Sequence, residues 1–415
     1  MPRLRSQLLD NVVQEAVLRQ PSQFSASELS TFVHSLASLH HEDILSSTAM
    51  DLCTLSAIRR SEQFRAHEMV DVVWSYTQIF GHHHDPQVLD TMAKLLVPRL
   101  GEITHVPRLV ILVKAFADLD LHYTDLHNEV SALLCPHLEC LDQGLVVELL
   151  QAFGHVHHYS STLFERAATV LSDSKSRLST SQLASVLQLY GCMMHDPGQA
   201  ALDVWLTQLQ DLGRAALTSS QVCSVLWSLA LLEALSPELF LQLSRDIQDC
   251  RKGDFTVSDI ERLLMAEWLL EITCRRQGQT PPRIPRPLRL QILSVWRERL
   301  YYKHDVSSFQ KDVGLTLTDM RISHTLEESV ENGDFKIDYV IVGDGNARVA
   351  LECDGPRRFT SNAPYHALGE TVASRRVLEG RGWRVVSISK HAWNSLKSRE
   401  EKQSFLEQEL WGIGC

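Results

Sequence analysis

The chain has 415 residues, of which 44% are hydrophobic, and a formal net charge of −11. This length leaves room for two or more cores, and no apolar run approaches the length of a membrane span. The acidic balance excludes a generally basic nucleic-acid coat, yet it is uneven: residues 281–415 hold 20 Lys+Arg and 18 Asp+Glu, leaving 20 and 33 to residues 1–280. Any nucleic-acid contact is therefore expected to be local, or the acidic part meets protein instead.

Residues 1–23 read as an N-terminal helix carrying Arg3, Arg5 and Arg19. Asp10 and Glu15 make it a poor organelle transit peptide, and it has no secretory pattern. The nine cysteines are scattered without CxxC spacing, so neither a zinc nor a disulfide framework is expected.

Residues 24–273 repeat. The segments starting at Leu29, Met69, Leu109, Val146, Leu183 and Val222 share one pattern, with steps of 40, 40, 37, 37 and 39 residues, and a weaker copy starts near Ile260. Apolar residues at positions 1, 4, 5 and 8 make a helical stripe. Capping stretches such as Ser25-Ala26-Ser27-Glu28, Ser179-Thr180-Ser181-Gln182 and Thr218-Ser219-Ser220-Gln221 precede it. A second helix is expected in each unit: Pro86 to Leu100, Asp125 to Leu141, Thr162 to Leu178, Ala201 to Leu217 and Pro237 to Cys250. One helix pair cannot bury its own stripe, so neighbours must stack into an α-helical repeat solenoid.

The sixth position of each first helix should face away from its partner. It is occupied by His34, Trp74, Lys114, Gln151, Gln188 and Trp227. Rings, amides and an ammonium are the groups that stack on or hydrogen-bond to single-stranded bases. The same position on any exposed helix also accepts arbitrary polar residues, and either tryptophan could instead pack on a neighbouring repeat. The histidines at 82–84 and at 155, 157 and 158 read as solvated inter-helix loops, with metal binding as the alternative.

Residues 274–287 (CRRQGQTPPRIPRP) read as a Pro/Arg-rich linker, because four prolines and a glycine do not fit a helix. Arg275, Arg276, Arg283 and Arg286 give it a local positive patch. Helices are expected at 288–302 and 306–315, and a first strand with its turn within 320–330.

Lys336 to Val342 and Arg348 to Cys353 read as a β-hairpin around Asp344-Gly345-Asn346. Asp338, Glu352 and Asp354 lie at its edges. Glu352 and Asp354 are two apart and share a face; convergence of Asp338 would make a Mg²⁺ site, since hard cations prefer carboxylate oxygens. The other reading is a turn residue and two partners for arginines. A helix from Tyr365 to Glu379, a buried strand from Trp383 to Ser389 and a helix opening at Trp393 complete an α/β sheet flanked by helices.

Asp338, the run Ala350-Leu351-Glu352-Cys353-Asp354-Gly355-Pro356, Arg375-Arg376-Val377-Leu378, Gly382-Trp383-Arg384-Val385-Val386 and Trp393 together resemble a RAP domain, with its core at about 335–396 inside a domain spanning 288–415. The repeats resemble the heptatricopeptide and octotricopeptide repeats that often precede it. The resemblance implies a small restriction-endonuclease-like α/β domain of the PD-(D/E)XK and very-short-patch-repair type. By position Asp338 matches the first motif acid and Glu352 the second, the two candidate metal ligands. Asp354 stands where the motif lysine falls, and Arg358 where a histidine is common; both departures weaken a nuclease assignment.

The resemblance further implies an organellar, mitochondrial RNA-binding protein, a subunit of or assembly factor for a ribonucleoprotein such as the mitoribosome. Its partners would be organellar rRNA or mRNA and ribosomal or other complex proteins. Phosphates would be met by the linker arginines and by Arg357, Arg358, Arg375 and Arg376, although Arg375 and Arg376 could equally pair with Glu352 or Asp354. No cofactor is expected, apart from Mg²⁺ if Asp338, Glu352 and Asp354 are catalytic. The alternatives are a Mg²⁺-dependent endoribonuclease and an RNA-independent protein scaffold.

Overall fold

The computed structural model describes residues 11, 13–15, 18, 21–39, 44–173, 177–212, 216–247, 249–301, 306–342 and 348–412. Most of the expected 1–23 helix and the Asp344-Gly345-Asn346 turn lie outside them. The chain forms two compact units, Met1–Asp173 and Ser174–Cys415. The boundary falls inside the repeat series, not at the 274–287 linker.

The first unit is a series of helix pairs: α1 (Ala26–Ser38) with α2 (Ile44–Arg59), α3 (Ala66–Phe80) with α4 (Pro86–Leu96), α5 (Pro107–Ala117) with α6 (Thr124–Leu134), and α7 (Gln143–His155) with α8 (Ser161–Leu171). The helices α1, α3, α5 and α7 pack each on the next. Their stripes are buried, as in Met69, Val72, Val73 and Tyr76 or Leu109, Leu112, Val113 and Phe116. Ser25 caps α1, its backbone N–H donating to Glu28 at 2.9 Å. The second helices stop earlier than their hydrophobic pattern suggests. Pro98 and Pro136 supply no N–H to an α ladder, and the chain tightens into 3₁₀ turns at Val97–Glu102 and Cys135–Cys140. Arginines clamp adjacent repeats through backbone carbonyls: Arg60 donates to Ser22 and Phe24, each at 3.0 Å, and Arg99 to Ser61 at 3.0 Å and Phe64 at 2.8 Å.

The second unit opens with three further pairs or part-pairs: α9 (Thr180–Cys192) and α10 (Gln199–Gln210), α11 (Ser219–Leu231) and α12 (Pro237–Asp246), and α13 (Val257–Arg276). The Ser179 and Thr218 backbone N–H groups donate to Gln182 and Gln221, each at 2.9 Å, as the capping stretches predict. The linker is narrower than its composition suggests, because α13 runs on to Arg276 and α14 begins at Arg286. It is also tied down. The fully buried Glu267 accepts from the Ile284 N–H at 2.8 Å and from Arg289 at 2.8 Å.

After α14 (Arg286–Tyr301) and α15 (Ser308–Asp319) comes a four-stranded sheet: β1 (His324–Val330), β2 (Phe335–Val342), β3 (Arg348–Asp354) and β4 (Arg384–Ser389). Its order is β1-β2-β3-β4, antiparallel except for the parallel β3–β4 pair. The crossover carries α16 (Gly369–Gly380); α17 (Lys390–Ser395) and α18 (Arg399–Trp411) follow. Odd-numbered residues of β2 and β3, such as Tyr339, Ile341, Val349 and Leu351, join Phe309, Val313, Trp393 and Leu406 in one core. The other face of the sheet, with α16, turns toward α13 and α14.

Helix α16 sits directly on the last repeats. A Cβ at Gly369 would lie 2.5 Å from the Gly191 carbonyl and 2.9 Å from the Trp227 ring. Arg376 donates to the Leu231 carbonyl at 2.7 Å, just where α11 ends. The fold is thus helical repeats followed by a small α/β domain, with α9, α11 and α13 serving as the platform for that domain.

Candidate nucleic-acid interface

The C-terminal ends of β3 and β4 and the facing side of α16 enclose a cavity of about 150 Å³, closed from beyond by α13 and α14. Its polar lining is Glu261, Lys336, Glu352, Asp354, Arg358, Thr371, Ser374, Arg375 and Ser387. Met265, Trp296, Phe335 and Leu378 form its apolar part. Glu352 and Asp354 share a face because they are two apart on β3, and Ser387 comes alongside because β4 runs parallel, pairing Glu352 with Ser387 in register.

The three acids do not converge as expected. Asp338 is held away from the cavity: it accepts from the Cys353 N–H at 2.8 Å and from Gln310 Nε2 at 2.6 Å. Among the described residues it is not part of any group of three or more histidine, cysteine or acidic residues whose ligand atoms gather within 4.8 Å. Strand pairing ends at Tyr339–Leu351, and the Asp338 carboxylate takes up the backbone N–H freed beyond it. The residues present therefore do not assemble the three-acid Mg²⁺ site.

Burial raises Glu352 well above the ordinary carboxylate range, with Asp338 and Asp354 adding to the shift and Arg358 opposing it. Asp354 is raised by burial too, against a Ser387 hydroxyl bonded to it and the charges of Arg358 and Arg375. Burial raises Glu261 as well, so the cavity is a place where three carboxylates ionise reluctantly beside three cations. Lys336 is the cation the sequence reading missed. It lies two residues before Asp338, so the strand's period could have pointed to it. Its ammonium is also paired with Glu327 at 2.8 Å.

The four C-terminal arginines divide. Arg357 and Arg358 are exposed, and Arg358 and Arg375 line the cavity. Arg376 does not reach it, being spent on Leu231 and, at 3.5 Å, on Glu233. Consecutive residues on a helix project about 100° apart, so Arg375 and Arg376 serve different neighbours. Of the linker arginines, Arg283 pairs with Glu271 at 2.8 Å and Arg275 bonds the same carboxylate. Arg276 and Arg286 are exposed.

The position-6 column also divides. His34, Lys114 and Gln151 are exposed in the first unit, and Trp74 is half-buried with its ring 4.7 Å from that of His34. Lys114 is paired with Glu148 at 2.9 Å. In the second unit Gln188 is half-buried, while Trp227 is only 2% exposed. Trp227 must be withdrawn from the base-stacking set: Arg262 lies over its ring at 5.5 Å and Gly369 of α16 abuts it. The docked domain covers what would be the free face of α11 in an isolated repeat.

Residues 351–409 match the RAP domain model. The C-terminal domain is a RAP domain. Its matched core begins at β3 and reaches through α18, later at both ends than the span 335–396. The chain is 24% identical over 235 residues to a chloroplastic RAP domain-containing protein of Oryza sativa subsp. japonica, covering 53% of this chain and 35% of that protein. It is 28% identical over 138 residues to the mitochondrial FAST kinase domain-containing protein 3 of Homo sapiens, covering 33% and 19%. With the mitochondrial FAST kinase domain-containing protein 1 of Mus musculus the identity is 22% over 441 aligned positions, covering 94% and 52%. The chain spans about half or less of the length of these relatives. The cavity is built both by the matched residues and by elements before them: Glu261 and Met265 on α13, Trp296 on α14, and Phe335 and Lys336 on β2 all precede residue 351.

Proposed function

We propose that this protein is an organellar RNA-binding protein whose RAP domain holds RNA phosphates at the mouth of the β3–β4 cavity. The observation that carries the reading is the gathering of Arg358, Arg375 and Lys336 in one cavity of a RAP domain, with Arg357 exposed beside it. Guanidinium groups suit phosphate geometry. The mitochondrial and chloroplastic relatives support an organelle as the site of action, and mitochondrial action within a ribonucleoprotein such as the mitoribosome is the finer form of the proposal. The strongly acidic composition of residues 1–280 supports a repeat surface that meets basic proteins, with RNA contact concentrated in the C-terminal domain.

The test is ultraviolet cross-linking in organelle extract with the cross-linked peptides mapped. Cross-links are expected around Arg357–Arg358 and Arg375, and the double change Arg357→Glu/Arg358→Glu should weaken RNA binding by tenfold or more, roughly the loss of two charged contacts. Absence of cross-links, with co-purification surviving RNase, would replace this reading with that of a protein scaffold. Mg²⁺-dependent shortening of the RNA in the same extract, abolished by Glu352→Gln, would favour the nuclease alternative.

A further inference from the structure

We propose that His122, His127 and His158 of the first unit form a Zn²⁺ site that fastens the α5–α6 turn to the α7–α8 turn. One nitrogen from each ring lies within 4.8 Å of the other two, and among the described residues no other group of three or more metal-ligating side chains gathers this way. His127 and His158 are each 0% exposed. Each also has a buried Nε2 with no protein hydrogen-bond partner among the described residues. Buried polar atoms are ordinarily satisfied, and the unmatched His127 Nε2, beside the paired ring nitrogens of His122 and His158, marks a place built for a ligand that accepts lone pairs.

The surroundings fit such an ion. His127 Nδ1 donates to the Tyr123 carbonyl at 2.8 Å, which fixes the tautomer and leaves the Nε2 lone pair free. This is the arrangement that orients histidines bound to metal. His122 Nε2 and His158 Nδ1 are 2.9 Å apart and share a proton. Two ligands of one tetrahedral Zn²⁺ stand roughly 3.3 Å apart, so a small widening and a tautomer change bring both rings to the ion with no net proton loss. Burial holds His127 down to about 4 and His158 to about 3, so both rings are neutral and ready to ligate near pH 7. His122 is only half-buried, which leaves an entry path and a fourth position for solvent.

The fold delivers these rings by a repeated device. Helices α5 and α7 end alike, with a residue at positive φ, Asp120 at 58° and His157 at 53°. The next N–H groups then reach back five residues, Leu121 to Phe116 at 3.0 Å and His158 to Phe153 at 2.9 Å. Equivalent turns therefore place His122 and His158 side by side in adjacent repeats, and α6 adds His127. The solvated-loop reading of 155, 157 and 158 holds for His155, which is exposed and paired with Asp120 at 2.7 Å, and fails for His158.

The experiment uses the full chain, stripped with a chelator and titrated with Co²⁺ and then Zn²⁺ under reducing conditions. One equivalent of Co²⁺ should give the visible bands of a four-coordinate ion without the near-ultraviolet charge-transfer band of thiolate ligation. Zn²⁺ should displace it and raise the melting temperature. His122→Gln, at the half-buried position, should weaken binding by at least about tenfold and remove the thermal shift, with its circular dichroism unchanged. His158→Gln should do the same. His82→Gln/His83→Gln, in the exposed run, should leave binding as it is. The proposal is overturned by any of three results: no tight single equivalent, a thiolate band that assigns the metal to cysteines, or equal affinity in the wild type and His122→Gln.

Discussion

At the scale of single residues, the cavity is governed by reluctant ionisation. Glu352 is half-buried beside Asp354, and its burial, with the charges of Asp354 and Asp338 adding to it, favours the neutral form in the folded chain. A carboxyl raised on folding contributes fully below its ordinary value and loses that contribution as pH climbs through the raised one. Stability should therefore fall as pH rises above the ordinary carboxylate range, through the raised value of Glu352. Glu352→Gln should raise the melting temperature at pH 8 by a few degrees, and have little effect near pH 4. Melting curves of the two proteins across that range check this; parallel pH dependence would mean that Glu352 is already neutralised by Arg358. Such a carboxyl also makes the cavity more welcoming to a phosphate than its acid count suggests.

Among elements, the decisive contact is α16 against α9 and α11. Gly369 lets the backbones approach until the Gly191 carbonyl and the Trp227 ring fill the space where a Cβ would stand. Gly369→Ala should destabilise the second unit by about 1–3 kcal/mol through overpacking. Gly355→Ala, where nothing lies within 4 Å of the added carbon, should stay within about 0.5 kcal/mol of neutral. Urea unfolding followed by tryptophan fluorescence measures both. The helices themselves were legible in the chain because an apolar stripe and a cap depend on residues three or four apart. The early ends of α4 and α6 were written there as well, in Pro98 and Pro136, but the hydrophobic pattern runs on past them and hides the change to a 3₁₀ turn.

For the whole molecule, charge sets the terms of RNA binding. With residues 1–280 holding 33 acids against 20 basic residues, a strand is repelled from most of that surface, and few phosphates should be neutralised. If Arg357, Arg358 and Arg375 carry the contact, the logarithm of affinity for single-stranded RNA should fall with the logarithm of salt at a slope of about −2. Filter binding from low to physiological salt measures it, and a slope several times steeper would show a contact extending well beyond the RAP domain.

By itself the sequence determined the helical repeats, the hairpin and parallel strand of the C-terminal domain, and the RAP resemblance, since each rests on local periodicity, capping or a short ordered motif. It left Trp227 among the candidates for stacking and treated Arg375 and Arg376 as one pair. Only tertiary packing could decide those points, because α16 buries the first and parts the other two by its rotation on α11. The same holds for Asp338, drawn to a backbone N–H where strand pairing stops, and for His122, His127 and His158. The outer two of those histidines stand 36 residues apart in the chain and meet only because two helix ends turn in the same way. Spacing along a chain records what neighbours in sequence can do together, whereas a site made of distant residues exists only once buried apolar faces have brought them into register.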